Sequence, residues 1–221
     1  MLTLEQVKNK SSVRLMGLHP IVGQATVKLI ERCYARGVPI VITQGLRTIA
    51  EQSKLYAQGR TTPGPIVTNA KGGYSNHNFG MAIDFALLLQ DGRNVSWETL
   101  RDGDKDSLPD WSEVVDEAKK LGFMWGGDWR SFKDLPHLEM TFGLTTAQLR
   151  AGRKPPQASM DAVLAAIRKG SETVNKADAN DIINNFLKPA YGAAKTEKER
   201  VEIGRLADSL RVASGQPKQN G

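Results

Sequence analysis

Apolar and polar positions in the first 150 residues follow two different periods. In IVGQATVKLIERCYARG, residues 21–37, apolar side chains recur every three and four positions. That spacing predicts an amphipathic helix, opened by His19-Pro20 and closed by Gly37. VPIVIT, residues 38–43, is short and β-branched, which predicts a buried strand. QGLRT makes a turn into a second helix, IAEQSKLYAQG. Residues 59–76 are rich in Gly, Pro, Thr and Asn and read as a long ordered surface loop. GMAIDFALLL predicts a central strand, and DGRNVSW a turn with a returning strand. LPDWSEVVDEAKKLG predicts a helix with Pro109 and Asp110 at its start and Gly122 just after its end. Its buried stripe is expected to be Trp111, Val114, Val115, Ala118 and Leu121. A run of aromatics and glycines then ends in a short strand, HLEMTF.

The pattern changes near residue 150. AGRKPPQAS, residues 151–159, has the Pro, Gly and charge of a linker. Residues 160–221 are rich in alanine and carry three helical stretches, 160–170, 176–194 and 196–214. The last should bury Val201, Ile203, Leu206, Leu210 and Val212. The expected domains are therefore 1–150, a linker 151–159, and a helical domain 160–221. Residues 151–221 hold no histidine or cysteine, and twelve basic against eight acidic side chains leave +4 there. These features argue against a second enzyme there and leave a binding module, packing on the first domain or dimerisation as the readings.

The whole chain of 221 residues carries a formal charge of +6, which suits any polyanion and discriminates little. No zinc-finger spacing, RNP-like motif or dense Lys/Arg cluster points to nucleic acid. No apolar run is long enough for a membrane span, so no stable membrane insertion is expected. The N-terminus lacks the apolar region of a secretory signal. The lone cysteine, Cys33, excludes an internal disulfide and reads as a small hydrophobe in a helix interior.

The candidate chemistry lies in the three histidines and their carboxylates. Asp84 sits inside GMAIDFALLL, where an aspartate needs a partner. His77 precedes it by seven residues, with Gly80 between, and His137 opens the next strand. Two imidazoles and a carboxylate on neighbouring strands suit a zinc site with one position left for water. The plainer alternative is a loop histidine, with Asp84 capping loop backbone. In DLPH, Asp134 lies three residues before His137 and is a candidate proton acceptor, or else a turn carboxylate. Arg47 could clamp a carboxylate or an oxyanion, or join a surface ion pair. Ser75 and Gln44 are candidates for substrate hydrogen bonds. Asp128 could accept from a ligand histidine, though a turn role suits it better, and Glu139 reads as a strand residue or a partner behind the ligands.

QGLRT, the run GRTTPGPIVTNAKGGYSNHNFGMAIDF and GGDWRSFKDLPHLEM together resemble the L-alanyl-D-glutamate endopeptidases of bacterial cell-wall turnover and phage lysis. These fall within the VanY-like zinc D-alanyl-D-alanine carboxypeptidase group. The resemblance spans roughly residues 40–142. It implies an α+β fold, a small antiparallel sheet flanked by helices, with the helical domain following. It implies Zn2+ on His77, Asp84 and His137, and Asp134 as the catalytic carboxylate. Many members of the wider group place a glutamate there, and the shorter side chain matches the endopeptidase branch. Arg47 would hold substrate or stabilise the transition state, and Ser75 would line the cleft. The implied activity is cleavage of the L-Ala–D-Glu bond of peptidoglycan, with D-Ala–D-Ala carboxypeptidase activity as the alternative. A basic module after a wall hydrolase resembles phage endolysins. The expectation is thus a Bacillus-type phage enzyme, made in the host cytoplasm and reaching the wall through a holin. A host autolysin is the alternative. The chain is expected to be a monomer whose partners are peptidoglycan and, through the C-terminal domain, anionic wall polymers.

Overall fold

The computed structural model describes residues 2–169, 176–214 and 216–219. Helices α1 (Leu4–Leu15) and α2 (Pro20–Ala35) lead into strand β1 (Ile40–Gln44) and helix α3 (Ile49–Ala57). A short 3-10 turn, Asn76–Phe79, precedes the central strand β2 (Ala82–Leu88), followed by β3 (Val95–Ser96). Helix α4 (Asp110–Lys120), β4 (Met124–Trp125), β5 (His137–Glu139) and helices α5 (Thr146–Arg150) and α6 (Gln157–Lys169) complete the first compact unit. The sheet is antiparallel, ordered β1-β2-β5-β4, with β3 paired to the far end of β2. This is the expected α+β fold, with helices flanking a small antiparallel sheet and further helices after it.

Local chemistry explains most of the elements. Pro20 stands in the first turn of α2, where its missing N–H costs nothing. At the other end Gly37, at φ 91°, lets the Val38 N–H donate back to the Cys33 carbonyl at 2.9 Å. Helix α3 starts at a capping box in which Thr48 and Glu51 satisfy each other's backbone N–H groups. The expected stripe of α4 is buried, and the Trp111 ring lies 4.5 Å from that of Phe85 on β2. Cys33 packs in the core at 1% exposure, where burial pushes its thiol pKa up.

Helix α1 has almost no apolar periodicity, and the sequence pattern did not predict it. Only Val7 and Ser11 are buried on it. Val7 packs into the core and Lys8 pairs with Glu31 at 3.1 Å, while the Ser11 hydroxyl accepts from the Ile42 N–H at 3.0 Å, capping the open edge of β1.

The packing boundary also lies later than the expected one at 150. The first unit ends at Ile167, because α6 carries Val163 into the same core as Leu121 and Met140. The Arg32 guanidinium donates to the Ala166 carbonyl at 2.8 Å. Part of the expected linker, from Gln157 onward, is therefore the start of a docked helix.

The second unit, Arg168–Gly221, contains α7 (Lys176–Ile182), a π-helical turn Ile183–Leu187, α8 (Lys188–Ala193) and α9 (Glu197–Ala213). The expected helix end at Gly170 lies outside the described residues. So does the side chain of Val212. Val201 and Leu206 are exposed (63% and 41%), and Ile203 and Leu210 are half-buried. The inward stripe of α9 is instead Gly204, Ala207, Asp208 and Arg211, the last two joined by a buried ion pair of 2.7 Å. Small side chains at 204 and 207 allow a closer approach than the larger apolar residues beside them.

Candidate active site

Strand register builds the site. Asp84 on β2 pairs directly with His137 on β5, so their side chains leave the same face of the sheet. His77 comes from the 3-10 turn before β2. Gly80, at φ 65°, then folds the chain into the strand, and a side chain there would strike the Gly17 carbonyl.

Three donor atoms meet on that face. His77 Nε2 lies 3.1 Å from His137 Nδ1, and each lies 3.2 Å from Asp84 Oδ1. The far side of each ring is occupied. His77 Nδ1 donates to the Gly45 carbonyl at 2.9 Å, and His137 Nε2 to Glu139 Oε2 at 3.0 Å. Glu139 is held in turn by the Asn76 amide at 2.7 Å. With a hydrogen committed to each outer nitrogen, both inner nitrogens present lone pairs to one another and to a carboxylate oxygen. Three acceptors this close repel unless a proton or a metal cation lies among them. Ligand atoms around a tetrahedral zinc at roughly 2.0–2.1 Å lie about 3.3 Å apart, so the triangle fits such an ion.

The electrostatics express the same demand. Burial opposes charge on His137, but hydrogen bonds to Asp84 and Glu139 outweigh it and raise its pKa to about 9. Burial also opposes ionisation of Asp84, yet His137 and His77 hold its carboxyl well below the usual range. Both rings are nearly inaccessible, at 3% and 5% exposure.

Asp134 stands beside this triangle. Burial, and then the charge of Asp84, push its pKa up. Its N–H donates to the Gly126 carbonyl at 3.2 Å, and its own carbonyl accepts from the His137 N–H at 3.3 Å. A side chain at Gly126 would meet Asp134 and His137, so that glycine permits the close turn. Asp134 also lines a cavity of about 350 Å³ with Val67, Trp97, Trp111 and Phe132.

The remaining candidates separate. Arg47 donates to Gln52 at 2.8 Å and brings Nη2 to 3.7 Å from Asp84 Oδ2. Its Nε is buried with no acceptor among the described residues. Gln44 is the register partner of Asp84 on β1, but its amide donates to the Leu46 carbonyl at 3.2 Å. With Arg47 it lines a second cavity, of about 340 Å³. Ser75 caps the 3-10 turn, its carbonyl accepting from the Asn78 N–H at 3.0 Å. Asp128 pairs with Lys119 at 2.8 Å and is a turn residue. His19 caps α2, with its ring against Phe142. Sequence reasoning missed the Gly45 carbonyl, Asn76 and Trp129, whose ring lies 5.0 Å from that of His137. None of them carries a sequence signal, since each acts through space.

Residues 68–140 match the family model described as D-alanyl-D-alanine carboxypeptidase. Over 123 residues the chain is 54% identical to the peptidoglycan L-alanyl-D-glutamate endopeptidase CwlK of Bacillus subtilis, covering 56% of this chain and 73% of that one. The chain belongs to the M15 peptidase family. M15 peptidases are generally metal-dependent, and the triangle is a possible metal-binding group of the expected kind. The chain is also 31% identical over 118 residues to the L-alanyl-D-glutamate peptidase of Listeria phage A118, covering 53% of this chain but only 36% of that one. Among solved structures, the L-Ala D-Glu endopeptidase ChiX of Serratia marcescens aligns with 27% identity over 60% of this chain and 87% of that one, at a TM-score of 0.41.

Proposed function

We propose that this M15 peptidase is a zinc enzyme that hydrolyses the L-Ala–D-Glu bond of peptidoglycan stem peptides. The observation that carries the zinc reading is the triangle of three acceptor atoms, each held from behind, with edges of 3.1–3.2 Å. The bond assignment rests on the 54% identity to an endopeptidase of that specificity. Zinc held by His77, Asp84 and His137 would supply Lewis acidity, making a water more acidic and a peptide carbonyl more electrophilic.

The protein side chains do the rest. Asp134 takes the proton of the attacking water and passes it to the amine nitrogen of the departing D-Glu. Its raised pKa suits both transfers. Arg47 holds a substrate oxygen through its planar fork, which an ammonium cannot reproduce. Gln44 and Ser75 line the approach and donate or accept single hydrogen bonds to the peptide. Glu139 fixes the tautomer of His137 rather than moving protons.

The family description favours one second reading, removal of a terminal D-Ala. Digestion of defined muropeptides with mass analysis separates the two. A new amino terminus on D-Glu is the expected product, whereas released D-Ala with intact L-Ala–D-Glu would replace the proposal. Arg47→Lys is expected to cut turnover roughly tenfold or more at unchanged zinc content. Parental turnover would reduce Arg47 to an ion-pair partner.

We also propose that the chain acts as a phage or prophage endolysin that meets the wall after a holin opens the membrane. Among the described residues no helix is long and apolar enough to cross a membrane. Production confined to prophage induction supports this role, and steady production in growing cells would make the protein a host autolysin. Residues 168–221 are proposed to bind anionic wall polymers. Phe186, at 69% exposure, is an apolar contact available on that unit. A fluorescent fusion of this segment should sediment with purified walls and be released by salt. Failure to sediment, with full lytic rate in a chain cut after Lys169, would remove the targeting role.

A further inference from the structure

From the loop after β3 into the first turn of α4 the chain reads DGDKDSLPDWSE, residues 102–113. Carboxylates stand at the first, third, fifth, ninth and twelfth places. In calcium loops of the pattern D-x-[DN]-x-[DN]-G-x5-E, these places supply the oxygens, together with the carbonyl of the seventh residue. The sequence departs from the pattern at one place, with Ser107 where it has glycine. Ser107 nevertheless adopts φ 75°, and Lys105 φ 68°, a region that favours glycine.

The fold gathers these side chains. Asp102, Asp104 and Asp110 offer carboxylate oxygens within 4.8 Å of one another, and so do Asp104, Asp106 and Glu113. Asp104 belongs to both groups, so the two triads adjoin through it, three acids coming from the loop and two from the start of α4.

Crowded acids alone make no site, and Glu113 supplies the independent observation. It is 4% exposed. Its Oε1 is held by Arg36, with Nε at 2.7 Å and Nη2 also in contact. Its Oε2 is buried with no hydrogen-bond partner among the described residues, and its carboxylate faces the acids of Asp104 and Asp106. A buried anionic oxygen turned toward like charges is costly unless a cation joins them. Burial, and then the charges of Asp104 and Asp102, push the carboxyl of Asp110 up. Burial, with Asp106 and Asp104, does the same to Glu113 despite Arg36. Arg36 and Arg101, the latter 3.8 Å from Asp110, offset part of this charge.

We propose that residues 102–113 form a second cation site, distinct from the histidine triangle, and that it takes calcium. The donors are all oxygen and hard, and their number and loop setting suit a large ion with irregular coordination. Magnesium demands a compact octahedron and keeps its waters. Calcium here would tie the first turn of α4 to the loop before it. Trp111, next to Asp110, packs on Phe85 and lines the cavity that Asp134 also lines, so the ion would steady one wall of the cleft.

The test uses the full chain loaded with zinc. Calcium chloride is titrated in a calorimeter, and melting is followed with and without calcium. About one calcium per chain and a raised Tm are expected, with zinc content unchanged. The Asp104→Asn/Asp106→Asn variant should bind calcium about tenfold or more weakly. Its melting without added calcium and its zinc content show whether it is folded. Glu113→Gln should lose affinity in the same way, which guards against misfolding of the double variant. No heat and no Tm change up to about 10 mM calcium, beyond the range of weak extracellular sites, would overturn the proposal. So would unchanged affinity in both variants, or equal binding of magnesium. None of these outcomes depends on which peptide bond is cut.

Discussion

Among the described residues, groups able to hold a cation gather in two places, and the two are built in opposite ways. At the histidine triangle, strand pairing and a 3-10 turn deliver one oxygen and two nitrogens. Each ring is anchored from behind by Gly45 or Glu139. At residues 102–113 a loop and the first turn of α4 deliver five carboxylates and no nitrogen, and their oxygens are met by backbone amides and two arginines. The first arrangement is rigid and mixed in donor type, which suits a small borderline ion such as zinc. The second is all-oxygen and spans a loop and a helix start, which suits calcium. Donor chemistry thus separates the two sites.

Breaking the sheet-borne cluster should have the largest effect. His137→Ala is expected to reduce zinc binding to background and abolish hydrolysis, while the calcium response at residues 102–113 persists. Metal analysis and melting with calcium read both outcomes in one preparation. Loss of both ions together would show that the two sites are a single unit.

Asp134→Asn comes next. Zinc should stay, and turnover should fall by about 10²–10⁴-fold, the usual worth of general acid–base help. Near-parental turnover would move the proton-transfer role to another carboxylate. Glu139→Ala removes the anchor behind His137 and should weaken zinc by about 10–100-fold, as measured by competition with a chelator. Unchanged affinity would mean that the anchoring of the ring from behind has no energetic weight.

The smallest effect concerns the loop. Ser107→Gly relieves a left-handed residue at φ 75°. It should raise the Tm through a gain of up to about 1 kcal/mol and leave zinc and hydrolysis unchanged. A fall in Tm would show that the Ser107 side chain makes a contact worth more than the strain.

Much of the fold was legible in the chain because it is local. The stripe of α4, the Gly37 stop and the QGLRT turn into α3 each follow from residues within a few positions of one another. Helix α1 was not legible, since it buries only Val7 and Ser11 and its contacts, such as the Ser11 hydroxyl on a strand edge 31 residues away, are made through space. The docking of α6 stood only as an alternative for a similar reason: PP and polar residues suggest a linker, and only the core shows that Val163 has a place in it. On α9 periodicity identified a helix and placed Ile203 and Leu210 where they are half-buried, but it put Val201 and Leu206 inside and passed over Gly204 and Ala207, which carry little hydrophobic signal.

The site divides along the same line. Residue types alone determined which groups could bind an ion or move a proton, for few other uses suit an aspartate within GMAIDFALLL or an Asp three places before a histidine. They could not decide that His77, Asp84 and His137 meet in a near-equilateral triangle. That depends on β2 and β5 pairing in one register, and a slip of one residue would turn Asp84 to the other face. Nor could they name Gly45 and Glu139 as the acceptors behind the rings, since one is a backbone carbonyl and the other a strand glutamate with several plausible uses. Side-chain chemistry is written residue by residue. Distances between residues 53 and 60 positions apart exist only once the sheet has closed.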